Sequence, residues 1–363
     1  MVPLLPAIKF LQSRILILLL GIGLAIAPYT PAHSQATPPT SPTDPVLTAR
    51  TDSSVLAVTR VGMTVSDLDE AVEFYSQVLN FEKISEVEVF GSEYERLQGV
   101  FGARVRIVQM QLGDEVIELS EYLTPRGKPI PVDSRSNDLW FQHAAIVVSD
   151  MEAAYQRLRR FDVRHVSTAP QTLPESIPAA AGIEAFYFQD PDGHNLEIIA
   201  YPPDKGNPRW QADEPIFLGI DHTAIAISNT SASLDFYGNL LGLEVTGESE
   251  NFGSDQSHLN QVFGARLQIT RLQAIKGIGV EFLEYLSPSD GRSYPPDVRP
   301  NDLIHWDITM ESADANVIYE KLKRAGVEFI SAGIIMLPDA SLGFRRGFLI
   351  RDPDGHAIRI VER

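Results

Sequence analysis

The chain has 363 residues, 44% of them hydrophobic, and a formal charge of −18. That is enough apolar material for two packed domains, and so acidic a surface repels nucleic acid and anionic lipid, leaving neither expected as a partner. There is no cysteine, which excludes disulfides, thiolate metal sites and cysteine nucleophiles; any metal must be held by histidine, carboxylate and water.

The first 36 residues differ from the rest. Lys9 and Arg14 precede the apolar run Ile15–Ala27, and small residues follow at Ser34-Gln35-Ala36. This order of charge, apolar run and small residues predicts a secretory signal peptide over residues 1–36, hence a periplasmic or secreted protein with no membrane association after cleavage. The apolar run is too short to span a bilayer comfortably. Residues 37–54, opening on TPPTSPTDP, read as a flexible tether.

Beyond the tether, Thr59–Val65 alternates as a strand, and Asp67–Leu79 has helical spacing of its apolar residues. Strands are expected near Glu82–Val89, Val105–Gln111 and Glu115–Glu121. The order then repeats with a strand at Gln142–Val148, a helix over Met151–Arg160, and strands near His165, Glu184–Phe188 and Asn195–Ala200. Third and fourth units open with strands at Gly219–Ile227 and Ile304–Met310, followed by helices over Ala232–Leu241 and Ala313–Ala325. The domains expected are a first half over 55–200, a Pro-rich linker over 201–215, and a second half over 216–363, each with two βαβββ modules.

The halves are copies. Phe101-Gly102-Ala103-Arg104 returns as Phe263-Gly264-Ala265-Arg266 at an offset of 162, and the DPDGH turn at 190–194 returns at 352–356. Within the copies, four strand openings stand seven positions before an Asp or Asn: Arg60, His143, His222 and Asp307. Four matching strand ends carry Glu118, Glu197, Glu281 and Arg359. Glu197 and Glu281 lie in otherwise apolar strands, where a carboxylate is costly unless paired or coordinated. His194 and His356 belong to the turns and have structural reasons of their own. His305 shares a strand face with Asp307 and is a weaker alternative ligand.

The pattern resembles the vicinal-oxygen-chelate superfamily, which includes glyoxalase I, epimerases, extradiol dioxygenases and bleomycin-resistance proteins. The resemblance is carried by His222 with the helix DFYGNLLGLEV and by FYFQDPDGHNLEI at 186–198. It implies an α+β fold in which four βαβββ modules pair into two open barrel-like sheets. It also implies metal ligands at the first and last strands of each module, which are the eight positions above.

Two pairings of modules are familiar in that superfamily. Neighbour pairing puts one arginine into each site. Exchange, pairing module two with three and one with four, gathers His143, Glu197, His222 and Glu281 into one set, and Arg60, Glu118, Asp307 and Arg359 into another. Arginine stays protonated and repels a dication, so exchange is electrostatically favoured. The ligand set expected is then His143, Glu197, His222 and Glu281 around one divalent ion, nickel, cobalt, manganese, zinc or iron, with Glu197 or Glu281 moving a proton. The resemblance implies a glyoxalase- or epimerase-like lyase or isomerase acting on a small substrate with adjacent oxygens, through an enediolate stabilised by the metal. Alternatives are an extradiol-type dioxygenase, for which Tyr187 stands at a position that carries an active-site Tyr, and a non-catalytic ligand-binding protein. Departures are visible too. Ala226 stands where bacterial glyoxalase I has an Arg, and Glu175–Ala185 lacks the His of the dioxygenase signature.

Overall fold

The computed structural model describes residues 55–362. The expected signal peptide and tether lie outside the described residues. Among the described residues, no helix is long and apolar enough to cross a membrane.

Module one comprises β1 (Val55–Thr64), α1 (Leu68–Leu79), β2 (Glu82–Phe90), α2 (Ser92–Gln98), β3 (Arg104–Leu112) and β4 (Glu115–Thr124). Module two comprises β5 (Phe141–Val148), α3 (Met151–Arg160), β6 (Arg164–His165), β7 (Gln171–Thr172), β8 (Glu184–Gln189) and β9 (Asn195–Ala200). A 3₁₀ turn at Pro208–Gln211 precedes module three, which has β10 (Phe217–Ile227), α4 (Thr230–Leu234), β11 (Glu244–Phe252), α5 (Ser254–Asn260), β12 (Arg266–Gln273), β13 (Lys276–Gly277) and β14 (Gly279–Ser287). Module four has β15 (Trp306–Ser312), α6 (Ala315–Arg324), β16 (Ile335–Met336), β17 (Arg346–Arg351) and β18 (Ala357–Glu362).

The seven-residue spacing has a local cause. Asp67, Asp150, Asn229 and Asp314 are the N-caps of α1, α3, α4 and α6, each accepting backbone N–H groups of the first turn through its side chain. A fixed seven-residue step from strand position to helix N-cap thus returns the same residue to the same place four times. Two expectations shift. The helix expected over Ala232–Leu241 starts at Thr230 and continues past α4 as a π-helical stretch, Asp235–Leu240, with Leu241 N–H donating to the Phe236 carbonyl at 3.0 Å. The strand expected from Ile304 begins at Trp306, because His305 N–H closes a turn onto the Asp302 carbonyl at 2.9 Å.

The described residues form two nine-stranded sheets. One runs β16-β17-β18-β15-β1-β4-β3-β2, with β13 on β1; the other runs β11-β12-β14-β10-β5-β9-β8-β6, with β7 on β8. Module one therefore shares a sheet with module four, and module two with module three. The exchanged pairing is the one observed, and each half of the chain crosses from one sheet to the other.

The crossing segments explain how. Residues 125–140 and 288–305 run against each other as matched arms: Leu139 N–H donates to the Arg292 carbonyl at 2.8 Å, and Leu303 N–H to the Lys128 carbonyl at 2.9 Å. Gly127 and Gly291 are where the arms touch closest. A Cβ there would stand 1.8 Å from the Asn301 carbonyl oxygen and 1.7 Å from that of Asn137, so only glycine fits. The two sheets are joined further by the DPDGH turns. Asp190 Oδ1 accepts the backbone N–H groups of Asp192, Gly193 and His194, while its Oδ2 accepts Tyr75 Oη at 3.2 Å from α1. Asp352 repeats this with Tyr237 at 3.1 Å. His194 and His356 each donate to the aspartate of their own turn, in keeping with a structural role. The apolar faces of α1, α3 and α6 are buried with strands of all four modules in one large core.

Candidate metal centre

In every module the first and last strands run parallel. Gly62 pairs with Glu118, Ala145 with Glu197, Ala224 with Glu281 and Thr309 with Arg359. Each of those first-strand residues lies two positions after Arg60, His143, His222 or Asp307, and a two-residue step keeps a side chain on the same face. The eight expected positions thus point into two cups, four to each. The antiparallel pairing of β5 with β10, with His143 opposite Ala224, closes the distance between modules two and three.

His143 and His222 meet with their Nε2 atoms 3.4 Å apart. The Glu197 carboxylate reaches both, at 3.0 Å from His143 Nε2 and 3.6 Å from His222 Nε2. Glu281 Oε1 lies 3.6 Å from His222 Nε2. His143, His222 and Glu281 offer ligand atoms all within 4.8 Å of one another. Two nitrogens bound to one ion at ~2.1 Å are held roughly 3.0–3.4 Å apart, so the spacing suits a shared cation.

The opposite ring nitrogens are occupied. His143 Nδ1 contacts Gln142 Oε1, and His222 Nδ1 donates to Asp221 Oδ2 at 2.9 Å. Holding Nδ1–H in this way leaves both Nε2 lone pairs aimed at the common point. Burial opposes charge on His222, yet Glu281, Asp221 and Glu197 together raise its pKa to about 9. The same field that draws a proton there draws a divalent cation. Beside the centre opens a cleft of ≈ 300 Å³, to which Glu197, His222, Glu281 and Tyr187 contribute. The Tyr187 ring lies 4.9 Å from that of His143, and burial raises its phenol well above the ordinary range.

A family model described as Glyoxalase/Bleomycin resistance protein/Dioxygenase superfamily matches residues 57–198 and again 219–360. The chain belongs to this superfamily. A curated relative, 2-epi-5-epi-valiolone epimerase from an Actinomyces species, is 34% identical over 161 residues, covering 43% of this chain and 85% of the relative. Among solved structures, glyoxalase I from Zea mays superposes with a TM-score of 0.54 at 14% identity, over 84% of this chain and 92% of the other. A putative dioxygenase from Bacillus subtilis gives 0.51 at 16% identity, over 85% and 86%. At such identities these two establish the superfamily fold alone.

In this superfamily member the second cup is closed. Arg60 Nη1 meets Glu118 Oε2 at 3.0 Å, while Arg359 bridges Glu118 at 2.5 Å and Asp307 at 2.8 Å. All four residues are buried. Both guanidinium groups outweigh burial and hold the Glu118 carboxyl down at about 2. Leu342 and Phe344 fill the space above, packed with Val89, Tyr94 and Tyr122, and the Leu342 carbonyl accepts from Arg60 at 2.9 Å. The corresponding loop of the open cup, between β7 and β8, is two residues longer than that between β16 and β17, and its Leu173, Ala179 and Ala180 line the cleft. His305 is not among the donors of the first centre. It is buried, its Nδ1 has no partner among the described residues, and burial with Arg351 and Arg359 lowers its pKa to about 3.

Sequence reasoning missed Asp221, the most heavily bonded carboxylate of the site. Besides His222 it accepts Trp210 Nε1 at 2.7 Å, Tyr201 Oη at 2.8 Å and Arg271 Nη2 at 2.7 Å. Strict alternation would send Asp221 and His222 to opposite faces, but the register of β10 slips between Ile220 and His222. That bulge lets consecutive side chains meet. Replacing Asp221 by Asn keeps the shape and removes the charge that orients His222. Affinity for zinc or manganese is expected to fall about 10–100-fold, read by competition with a chromogenic chelator. An unchanged affinity would mean that His222 is oriented without it.

Proposed function

We propose that the protein is a divalent-metal-dependent epimerase or isomerase acting on a small substrate that carries two adjacent oxygens. The observation that carries this reading is the convergence of His143, His222, Glu197 and Glu281 at the foot of an open cleft. The name of the Actinomyces relative, an epimerase, supports the same reaction class. The four residues would hold a divalent ion, which would supply a Lewis acid for the two adjacent oxygens.

The chain's own part is proton movement. A carboxylate takes the proton from the carbon bearing one oxygen. In epimerisation the second carboxylate or solvent delivers a proton to the opposite face and the first proton is released. In isomerisation the first carboxylate returns its proton to the neighbouring carbon as the hydroxyl proton passes to the other oxygen, with no net change in atoms. Glu281 is the better placed of the two. Its side chain is 17% exposed against 5% for Glu197, which His143 holds at 3.0 Å. Tyr187, beside His143, helps to keep water from that side.

The test is exchange of a substrate C–H proton with solvent. Metal-loaded protein in D₂O is expected to place deuterium at the carbon of a 2-hydroxy ketone, and Glu281→Gln to slow this by about 10²–10⁴-fold. Oxygen uptake with a catechol and bound Fe(II), without exchange, would instead indicate a ring-cleaving dioxygenase. Ligand binding by metal-free protein with neither reaction would leave a binding module.

A further inference from the structure

The two cups arose from one repeat, so each is a control for the other. At the offset of 162, Val87, Val89 and Tyr94 of the closed cup correspond to Ser249, Asn251 and Gln256 of the open one. The surrounding backbone agrees: β2 and β11 are both nine residues long, and each is followed through a glycine by a seven-residue helix. In the closed cup Val89 and Tyr94 belong to a packed apolar cluster. In the open cup the three polar replacements line the cleft beside the metal centre.

Turning an apolar wall polar is unfavourable unless the new groups find partners, and Asn251 and Gln256 are only 4% and 2% exposed. They form a chain. The Ser249 hydroxyl donates to Asn251 Oδ1 at 2.9 Å, and Asn251 Nδ2 donates to Gln256 Oε1 at 3.1 Å. The Gln256 amide nitrogen then ends the chain with no protein acceptor among the described residues. A directed chain of this kind, ending in free N–H donors on a cleft wall, matches oxygen atoms of a ligand. An apolar or aromatic ligand would leave those donors unpaired. At ≈ 300 Å³ the cleft is at the small end for ligand pockets.

Resting on the metal-dependent reading above, we infer that the substrate is a small polyhydroxylated ketone. Its hydroxyl groups remote from the reacting carbon are read by the Ser249–Asn251–Gln256 chain. Two probes share the hydroxyketone unit and differ in the remaining hydroxyls: 2-inosose and 2-hydroxycyclohexanone. Binding of each to the metal-loaded full chain is measured by calorimetry, and solvent exchange separately by NMR in D₂O. The expected result is at least about 10-fold tighter binding of inosose. Asn251→Val and the milder Ser249→Val, which install the closed cup's residues, should shrink that ratio with metal content retained. Equal affinities, no binding of inosose, or a ratio unmoved in both variants would overturn the inference. Preference for inosose without exchange on either ketone leaves the substrate class standing and removes the proposed reaction. Exchange on both ketones without preference does the reverse.

Discussion

His143→Ala and His222→Ala are each expected to take bound metal from one equivalent per chain to none. The two imidazoles come from different modules and different halves of the sequence, yet their Nε2 atoms lie 3.4 Å apart. On the proposed reading they serve one ion, so either loss removes half the neutral donors from the same site. Glu197 and Glu281 would then have to hold a dication almost alone, with Glu197 buried beside a single ring. Elemental analysis after dialysis reads the loss directly. A second readout is thermal: a ligand that binds only the folded chain raises its melting temperature with concentration, so addition of zinc or manganese should stabilise the parent and leave both variants unmoved. Partial loss in each variant, about half an equivalent, would point to two separate weak sites and defeat the reading.

Removing Glu118 should be the most damaging single change to stability. Arg60 and Arg359 both lean on this carboxylate, which is fully buried. Glu118→Ala leaves two guanidinium groups facing each other with only Asp307 between them. Breaking one partner of a buried ionic cluster typically costs about 3–5 kcal/mol, measurable by chemical denaturation. Metal content should be unaffected, because the cluster lies in the other sheet. Acid behaviour follows from the same residue. The Glu118 carboxyl is lowered from 4.5 to about 2 in the fold, so its contribution is present above pH 4.5 and is lost as pH falls towards 2. Burial acts oppositely on Asp307, whose carboxyl is raised despite Arg359. That group's contribution is full below its unfolded value, is lost as pH rises through the raised folded one, and so partly offsets the acid loss. The fall in unfolding free energy between about pH 4.5 and 2 should therefore be real but shallow, and shallower still in Glu118→Gln. An identical acid slope in that variant would show that Glu118 does not set it.

The closed cup differs from the open one in charge as well as in packing. Two guanidinium groups stand in for the charge that a dication would bring, so Glu118 and Asp307 remain paired. Leu342 and Phe344 then pack with the apolar cluster beside these pairs. The open cup keeps its donors and has a polar wall along its cleft.

What the sequence determined by itself was local or periodic. The duplication, the capped helix after each opening strand, and the two-residue rhythm that aims His143, His222, Glu197 and Glu281 inward all depend on near neighbours. Reading arginine as a lost ligand needed only its fixed charge, and that was enough to favour one pairing of modules over the other. The tertiary structure decided the rest. Crossing arms pressed together at Gly127 and Gly291 carry each half between sheets, through contacts between residues more than 150 positions apart. A one-residue slip in β10 turns Asp221 onto His222, against the alternation from which its face would be read. Whether a cup is open depends on which distant loop side chains fill it, and volume at a site is set by packing across the sheet, to which no local pattern responds.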